Sequence, residues 1–162
     1  MTRREMGLLL GGLGMVSAQG QDKKPGTIHF DVDYKTKPER IYQALLDAKQ
    51  FSAFSGLPAE IEPRPGGTFK LFGGQIGGRN VELVVNQRVV QAWRPASWPA
   101  GEYSIARFEL VARDAGTRIV FDHTGFPEGD FASLNYGWGL KYWKPLEKFL
   151  AQTPEAQEKG AP

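Results

Sequence analysis

The stretch FASLNYGWGLKYWKPLEKFL, Phe131 to Leu150, decides the architecture. Within it Leu134, Trp138, Tyr142, Leu146, Phe149 and Leu150 recur at spacings of three and four, the period of one apolar face of a long amphipathic helix. Pro145 lies inside that run and has no N–H to give to the carbonyl of Lys141, so a kink is expected there. A helix with so wide an aromatic stripe needs an equally wide apolar surface to cover.

Upstream of Pro127 the period is two. Arg79 to Val85, Arg88 to Arg94, Tyr103 to Arg113 and Thr117 to Gly125 read as strands, parted by turns at Asn86-Gln87, Pro95 to Gly101 and Asp114 to Gly116. Strands joined by short turns make an antiparallel meander. Phe69 and Leu71 share one face of an earlier strand, and Gly73-Gly74 can take the positive φ angles of a two-residue hairpin turn. Neither Lys-Ser, Lys-Thr nor a helix follows the cluster Gly73 to Gly78, which excludes a phosphate-cradling loop.

Nearer the start, Ile28, Phe30, Val32 and Tyr34 alternate with His29, Asp31 and Asp33, a strand with one buried face and one solvated acidic face rather than a metal cluster. Thr36-x-x-Glu39 reads as a capping box, with Pro38 in the first turn, for a helix carrying Ile41, Tyr42, Leu45 and Leu46. The order is therefore strand, helix, antiparallel strands and long helix. That predicts an α+β fold in which a curved antiparallel sheet of about six or seven strands wraps on the C-terminal helix.

Composition bounds the function. A chain of 162 residues with 41% hydrophobic and 12% aromatic content builds one ring-rich core and leaves no room for a second catalytic domain. Lys plus Arg number 20 against 18 Asp plus Glu, without a basic run, so nucleic acid is not the expected partner. The absence of cysteine excludes disulfides, thiolate metal sites and cysteine nucleophiles. No catalytic constellation, metal set or cofactor motif is legible, and oligomeric state is not addressed by these patterns.

Residues 1–18 have the layout of an export signal. Arg3 and Arg4 form a twin-arginine-like positive start, Gly7 to Val16 an apolar stretch, and Val16-Ser17-Ala18 a small-residue end, so cleavage is expected after about Ala18. The stretch is well short of the ~20 apolar residues that span a bilayer. The organisation expected is a signal peptide (1–18), a linker (19–26), the folded domain (27–151) and a disordered tail (152–162), giving a periplasmic or secreted protein, with a cytoplasmic one as the alternative.

Four separated blocks in this order carry a resemblance: Gly66-Gly67-Thr68-Phe69 with Gly73-Gly74, then Val89-Val90-Gln91-Ala92-Trp93-Arg94, then Ser97-Trp98-Pro99-Ala100-Gly101, then Gly137-Trp138 with Tyr142-Trp143. Over nearly all of residues 27–150 the chain resembles the Hsp90 ATPase activator homologues. The resemblance implies a START-like helix-grip fold, a cavity between long helix and sheet, and in the eukaryotic relatives a co-chaperone role stimulating Hsp90; it does not imply catalysis. An exported chain would be parted from cytosolic Hsp90 and its ATP. The expectation put first is thus a non-enzymatic domain binding an apolar small molecule or lipid in the cavity. The alternative is a protein-binding co-chaperone or stress-response module, and a third reading is a cyclase- or hydrolase-like enzyme.

Strand parity turns Phe69, Leu71, Val81, Leu83, Val89, Gln91, Trp93, Ala106, Phe108, Leu110, Ile119, Phe121 and His123 inward, opposite Leu134, Trp138 and Tyr142. The cavity candidates are Phe69, Leu71, Gln91, Trp93, Phe108, Phe121, His123, Trp138 and Tyr142. Gln91, His123 and Tyr142 are the members able to hold a polar end, because a buried polar group needs a partner. Asp122, next to His123 on a strand, points to the opposite face and cannot orient it. Trp98, in a loop, is either a lid on the sheet or a protein-contact residue.

Overall fold

The computed structural model describes residues 25–152. The expected signal peptide, most of the expected 19–26 linker and nearly all of the expected C-terminal tail lie outside them. Seven strands form one antiparallel sheet: β1 (Pro25–Tyr34), β2 (Glu60–Ile61), β3 (Thr68–Leu71), β4 (Ile76–Val84), β5 (Arg88–Pro95), β6 (Ser104–Arg113) and β7 (Gly116–Pro127). Their spatial order is β1-β7-β6-β5-β4-β3-β2, so the chain meanders back until β7 closes onto β1. Strand β1 begins at Pro25, so Pro25 and Gly26 belong to the sheet and not to the segment before it.

Between β1 and β2 come two helices, α1 (Pro38–Leu46) and α2 (Ala48–Ser55). The capping box expected at Thr36 is not made. Pro38 occupies the first turn and Lys37 the N-cap without a side-chain bond, while the carbonyl of Thr36 accepts instead from Thr117 Oγ1 at 2.7 Å. Helix α2 has the cap that α1 lacks: Asp47 accepts from the backbone N–H of Gln50, and Gly56 closes the far end at φ 78°. The C-terminal helix runs through α3 (Phe131–Gly137), a π-helical stretch (Trp138–Trp143) and α4 (Lys144–Leu150). No helix among the described residues is long and apolar enough to cross a membrane.

The inner sheet face and the C-terminal helix enclose one core, in which Ile28, Phe69, Phe108, Phe121 and Leu146 are buried. Parity holds on β5, β6 and β7 and fails on β4. A bulge between Asn80 and Glu82 leaves Val81 out of register, so Val81 is 53% exposed and Asn80, facing Gln91, is fully buried. Beyond the bulge parity recovers, and Leu83 packs partly buried opposite Val89.

The β3–β4 connection is longer than the expected two-residue turn. Phe72, Gly73 and Gly74 all have positive φ, at 53°, 69° and 96°. For the two glycines this costs little, but Phe72 has a Cβ that the left-handed region crowds. Its ring is buried against Phe51 and Tyr142, and that burial offsets the strain.

Candidate functional site

One fully buried polar group on the inner face is His123 of β7. The indole N–H of Trp138 donates to His123 Nδ1 at 3.0 Å, which assigns the imidazole proton to Nε2. That nitrogen faces Ser104 Oγ at 2.7 Å, and Ser104 passes its own proton to the carbonyl of Trp93 at 2.8 Å. The relay is complete with a neutral ring. A second proton on Nδ1 would point at another N–H, and burial holds the imidazole down at about 4. Asp122, on the other face as parity requires, accepts from His29 Nδ1 at 2.7 Å and raises that exposed histidine.

A second buried thread starts at Gln91 of β5. Its amide donates to Asn80 Oδ1 at 3.1 Å, and Asn80 donates onward to the carbonyl of Glu62 at 3.0 Å, tying the bulge to the loop before β3. Gln91 Oε1 has no hydrogen-bond partner among the described residues. Both threads hold elements of the core together, which is the task Gln91 and His123 perform here.

Pro145 explains the helix above them. Because it cannot donate, the helix widens over the preceding residues, and the N–H of Lys144 reaches back five residues to the carbonyl of Gly139. The expected kink is taken up as a π-helical turn. Its consequence is that Trp138, Tyr142 and Trp143 are all buried from one segment. Tyr34 fastens the same segment to β1 by donating to the carbonyl of Trp143 at 2.9 Å.

Trp138 stacks on Trp93 at 5.2 Å between centroids and lies 4.3 Å from Phe121 and 4.4 Å from Tyr142. Phe51 and Phe72 meet Tyr142 edge-on at 5.6 and 5.5 Å. Between these rings remains a cavity of about 110 Å³ walled by Phe72, Trp93, Leu134, Trp138 and Tyr142, with exposed Lys141 at its side. Of the nine cavity candidates, Trp93, Trp138 and Tyr142 line it. Phe69, Leu71, Gln91, Phe108, Phe121 and His123 are buried in the core around it and are not part of its wall. Phe72 and Lys141 were missed: Phe72 directly precedes the glycine pair, and Lys141 sits three residues after Trp138 on the helix.

Trp98 is half-buried against the core, and its indole N–H donates to Asp130 Oδ2 at 2.9 Å, so the β5–β6 loop is pinned to the start of the C-terminal helix. Arg94 holds the loop from the other side through the carbonyls of Trp98, Pro99 and Glu102. The same guanidinium lies 5.8 Å from the ring of Tyr103, which is 50% exposed.

The family model described as activator of Hsp90 ATPase homolog 1-like protein matches residues 35–151. Activator of 90 kDa heat shock protein ATPase homolog 2 of Mus musculus is 27% identical over 128 residues, 79% of this chain and 39% of that protein. Its Homo sapiens homolog 1 counterpart is 25% identical over 115 residues, 71% of this chain and 34% of that protein. The chain thus spans about two fifths or less of the length of these curated relatives. Among solved structures, an HSP90 activator from Plasmodium falciparum superposes with a TM-score of 0.73 at 25% identity, covering 77% of this chain and 96% of that one.

Proposed function

The chain belongs to the activator of Hsp90 ATPase homolog 1-like family, and on that premise we propose that it is a protein-binding module whose partner is an ATP-hydrolysing chaperone of the Hsp90 kind. The observation that carries this reading is the filled interior. Rings from the sheet, α2 and the C-terminal helix leave about 110 Å³, against roughly 300–1,000 Å³ for pockets that enclose a drug-sized molecule. A lipid in that space, the expectation put first from sequence, would require several packed rings to move together.

Protein contact needs an outward surface instead, and the sheet face beside the Trp98 loop offers one. Tyr103 is half exposed, Ile105 on the outer face of β6 is 41% exposed, and Arg94 is held rigid beside them by three loop carbonyls. Tyrosine and arginine on a fixed support are the residue types that anchor protein interfaces.

The test is calorimetric titration of the purified domain with an Hsp90, with and without ATP, alongside the chaperone's ATPase rate. The native chain should bind, and Tyr103→Ala should weaken binding by about tenfold or more with an unchanged unfolding midpoint. No heat and no change in ATPase rate in either nucleotide state would end the proposal. Cleavage after about Ala18 would carry the domain out of the cytoplasm, and the intact mass of the protein from its own host reads that directly.

A further inference from the structure

The glycines of the sheet are not alike. At Gly78 a Cβ would come within 1.8 Å of the Ala92 carbonyl oxygen, and at Gly116 within 2.0 Å of that of Tyr34, so close approach of two backbones requires glycine at both. Gly77 is under no such demand. Its φ lies outside the left-handed region, and a Cβ there would meet only the Phe69 carbonyl, at 3.5 Å, an ordinary contact. Glycine weakens a strand interior, so at this position the missing side chain is a feature of the surface and not of the backbone.

Register places that surface. Gly77 pairs with Lys70 on β3 and with Arg94 on β5, and directly opposed residues share a face, so the three form one outward row across the sheet. With strands about 4.8 Å apart, the two cationic stems stand about 10 Å apart across a gap that holds no side chain. Gly77 lies in the floor of a groove walled by Lys70, Arg94 and Tyr103, with Glu60 and Glu62 on its β2 side.

The charges around the gap do not cancel one another. Glu62 is engaged: it accepts from the backbone N–H and Oγ1 of Thr68 and pairs with Arg64 at 3.4 Å. Neither Lys70 nor Arg94 meets a carboxylate within ion-pair distance among the described residues. Half-buried Arg94 donates from Nε and Nη2 to the carbonyls of Glu102, Trp98 and Pro99, which leaves Nη1 without a partner among the described residues. A guanidinium fixed by neutral carbonyls alone favours an anion as its remaining partner. We infer that a carboxylate side chain of the protein partner seats over Gly77, between Lys70 and Arg94, as the polar anchor of an interface whose apolar part is Tyr103 and Ile105. This rests on the reading of the outer sheet face as the protein-contact surface and adds the chemistry of the partner, an acidic segment. The half-exposed Tyr103 ring and Ile105 on the same face give such a segment apolar contact that a free anion would not use.

The Hsp90 titration, repeated on variants of the notch, is the first test. Gly77→Val fills the gap without a steric clash and should weaken binding about tenfold or more with an unfolding midpoint no lower than that of the native chain. Lys70→Gln should weaken it about threefold, and Glu60→Gln, which removes a competing carboxylate, should tighten it about twofold. Native-like binding by both Gly77→Val and Lys70→Gln would overturn the notch and leave the chaperone partner standing. Absence of Hsp90 binding by the native chain would end the chaperone reading, and the notch would then be judged on a blocked peptide of alternating Glu and Leu, with its Gln–Leu counterpart as control, followed by the β4 amide resonances of the ¹⁵N-labelled domain. A saturable shift with the Glu peptide, absent with the Gln peptide and lost in Gly77→Val, supports the notch. No saturable shift would overturn it, as would inorganic phosphate moving the same amides as tightly as the Glu peptide.

Discussion

Lowering the pH from about 7 to about 5 should cost the fold roughly 2 kcal/mol through His123 alone. The perturbation is proton uptake by the unfolded chain. Free imidazole titrates at 6.5, whereas His123 in the core is held at about 4 by burial, in a relay that has no place for a second proton. A group whose folded pKa is depressed loses stability as pH falls through the unfolded value, because only the unfolded state takes the proton. Integrating between these two values gives a loss of about 2 kcal/mol by pH ~5, growing toward about 3 kcal/mol near pH ~4. The upper part of that window lies above the range in which carboxylates such as Asp33 and Glu62, both held low by their partners, begin to contribute. His29 works in the opposite sense. Its pKa is raised, first by the hydrogen bond it donates to Asp122, so its contribution is present at low pH and fades as pH rises. Urea unfolding at both pH values, in the native chain, His123→Gln, His29→Gln and the double variant, separates the two. The native chain should lose stability on acidification, His29→Gln should lose more, and His123→Gln should lose none. Identical pH slopes for the native chain and His123→Gln would refute the reasoning, as would a His123 ring resonance that titrates near 6.5.

Three further outcomes follow from single contacts. Tyr34→Phe removes the bond to the Trp143 carbonyl and should lower stability by about 1 kcal/mol in urea, with little change in the m-value. Ser104→Ala leaves the His123 Nε2 proton buried without an acceptor and should cost about 1–3 kcal/mol by the same assay; a neutral result would show that the relay is not tightly made. Phe72→Gly relieves left-handed strain of about 1–2 kcal/mol but forfeits a buried ring worth about 3–5 kcal/mol, so net destabilisation of roughly 2–3 kcal/mol is expected by thermal or urea unfolding. Stabilisation by that change would mean the ring contributes less than its packing implies.

The fold was legible where side-chain period alone determines structure. Ile28 to Tyr34 alternated and form β1, and the change of period after Pro127 marks the C-terminal helix. Where a backbone event intervenes, period misleads. Val81 belongs to the inward set only if β4 is regular, and one extra residue at the bulge turned it out and Asn80 in. Helix α2 was missed because its eight residues bury only Phe51 and Phe54, too few for a periodic signal, although Asp47 and Gly56 bracket it as caps. The site was legible in part for a similar reason. Parity says which residues face the core, but which of them border a void depends on ring rotamers and on the π-helical turn, and neither leaves a mark on the spacing of Trp138 and Tyr142.

The place of β1 at the sheet edge has a consequence for synthesis. Its one neighbour among the described strands is β7, and paired residues such as His29 and Asp122 are 93 positions apart. At roughly 5–20 residues per second on a ribosome, the first strand waits about 5–20 seconds for its partner to be made. Through that interval an otherwise apolar strand is available to any other unpaired strand, including that of a neighbouring nascent chain. Asp31 and Asp33 at alternate positions set like charges against a second copy of the same strand, so the solvated acidic face disfavours that pairing before β7 arrives. Neutralising Asp31 and Asp33 would be felt first as loss of soluble yield during production, before any change in the finished fold.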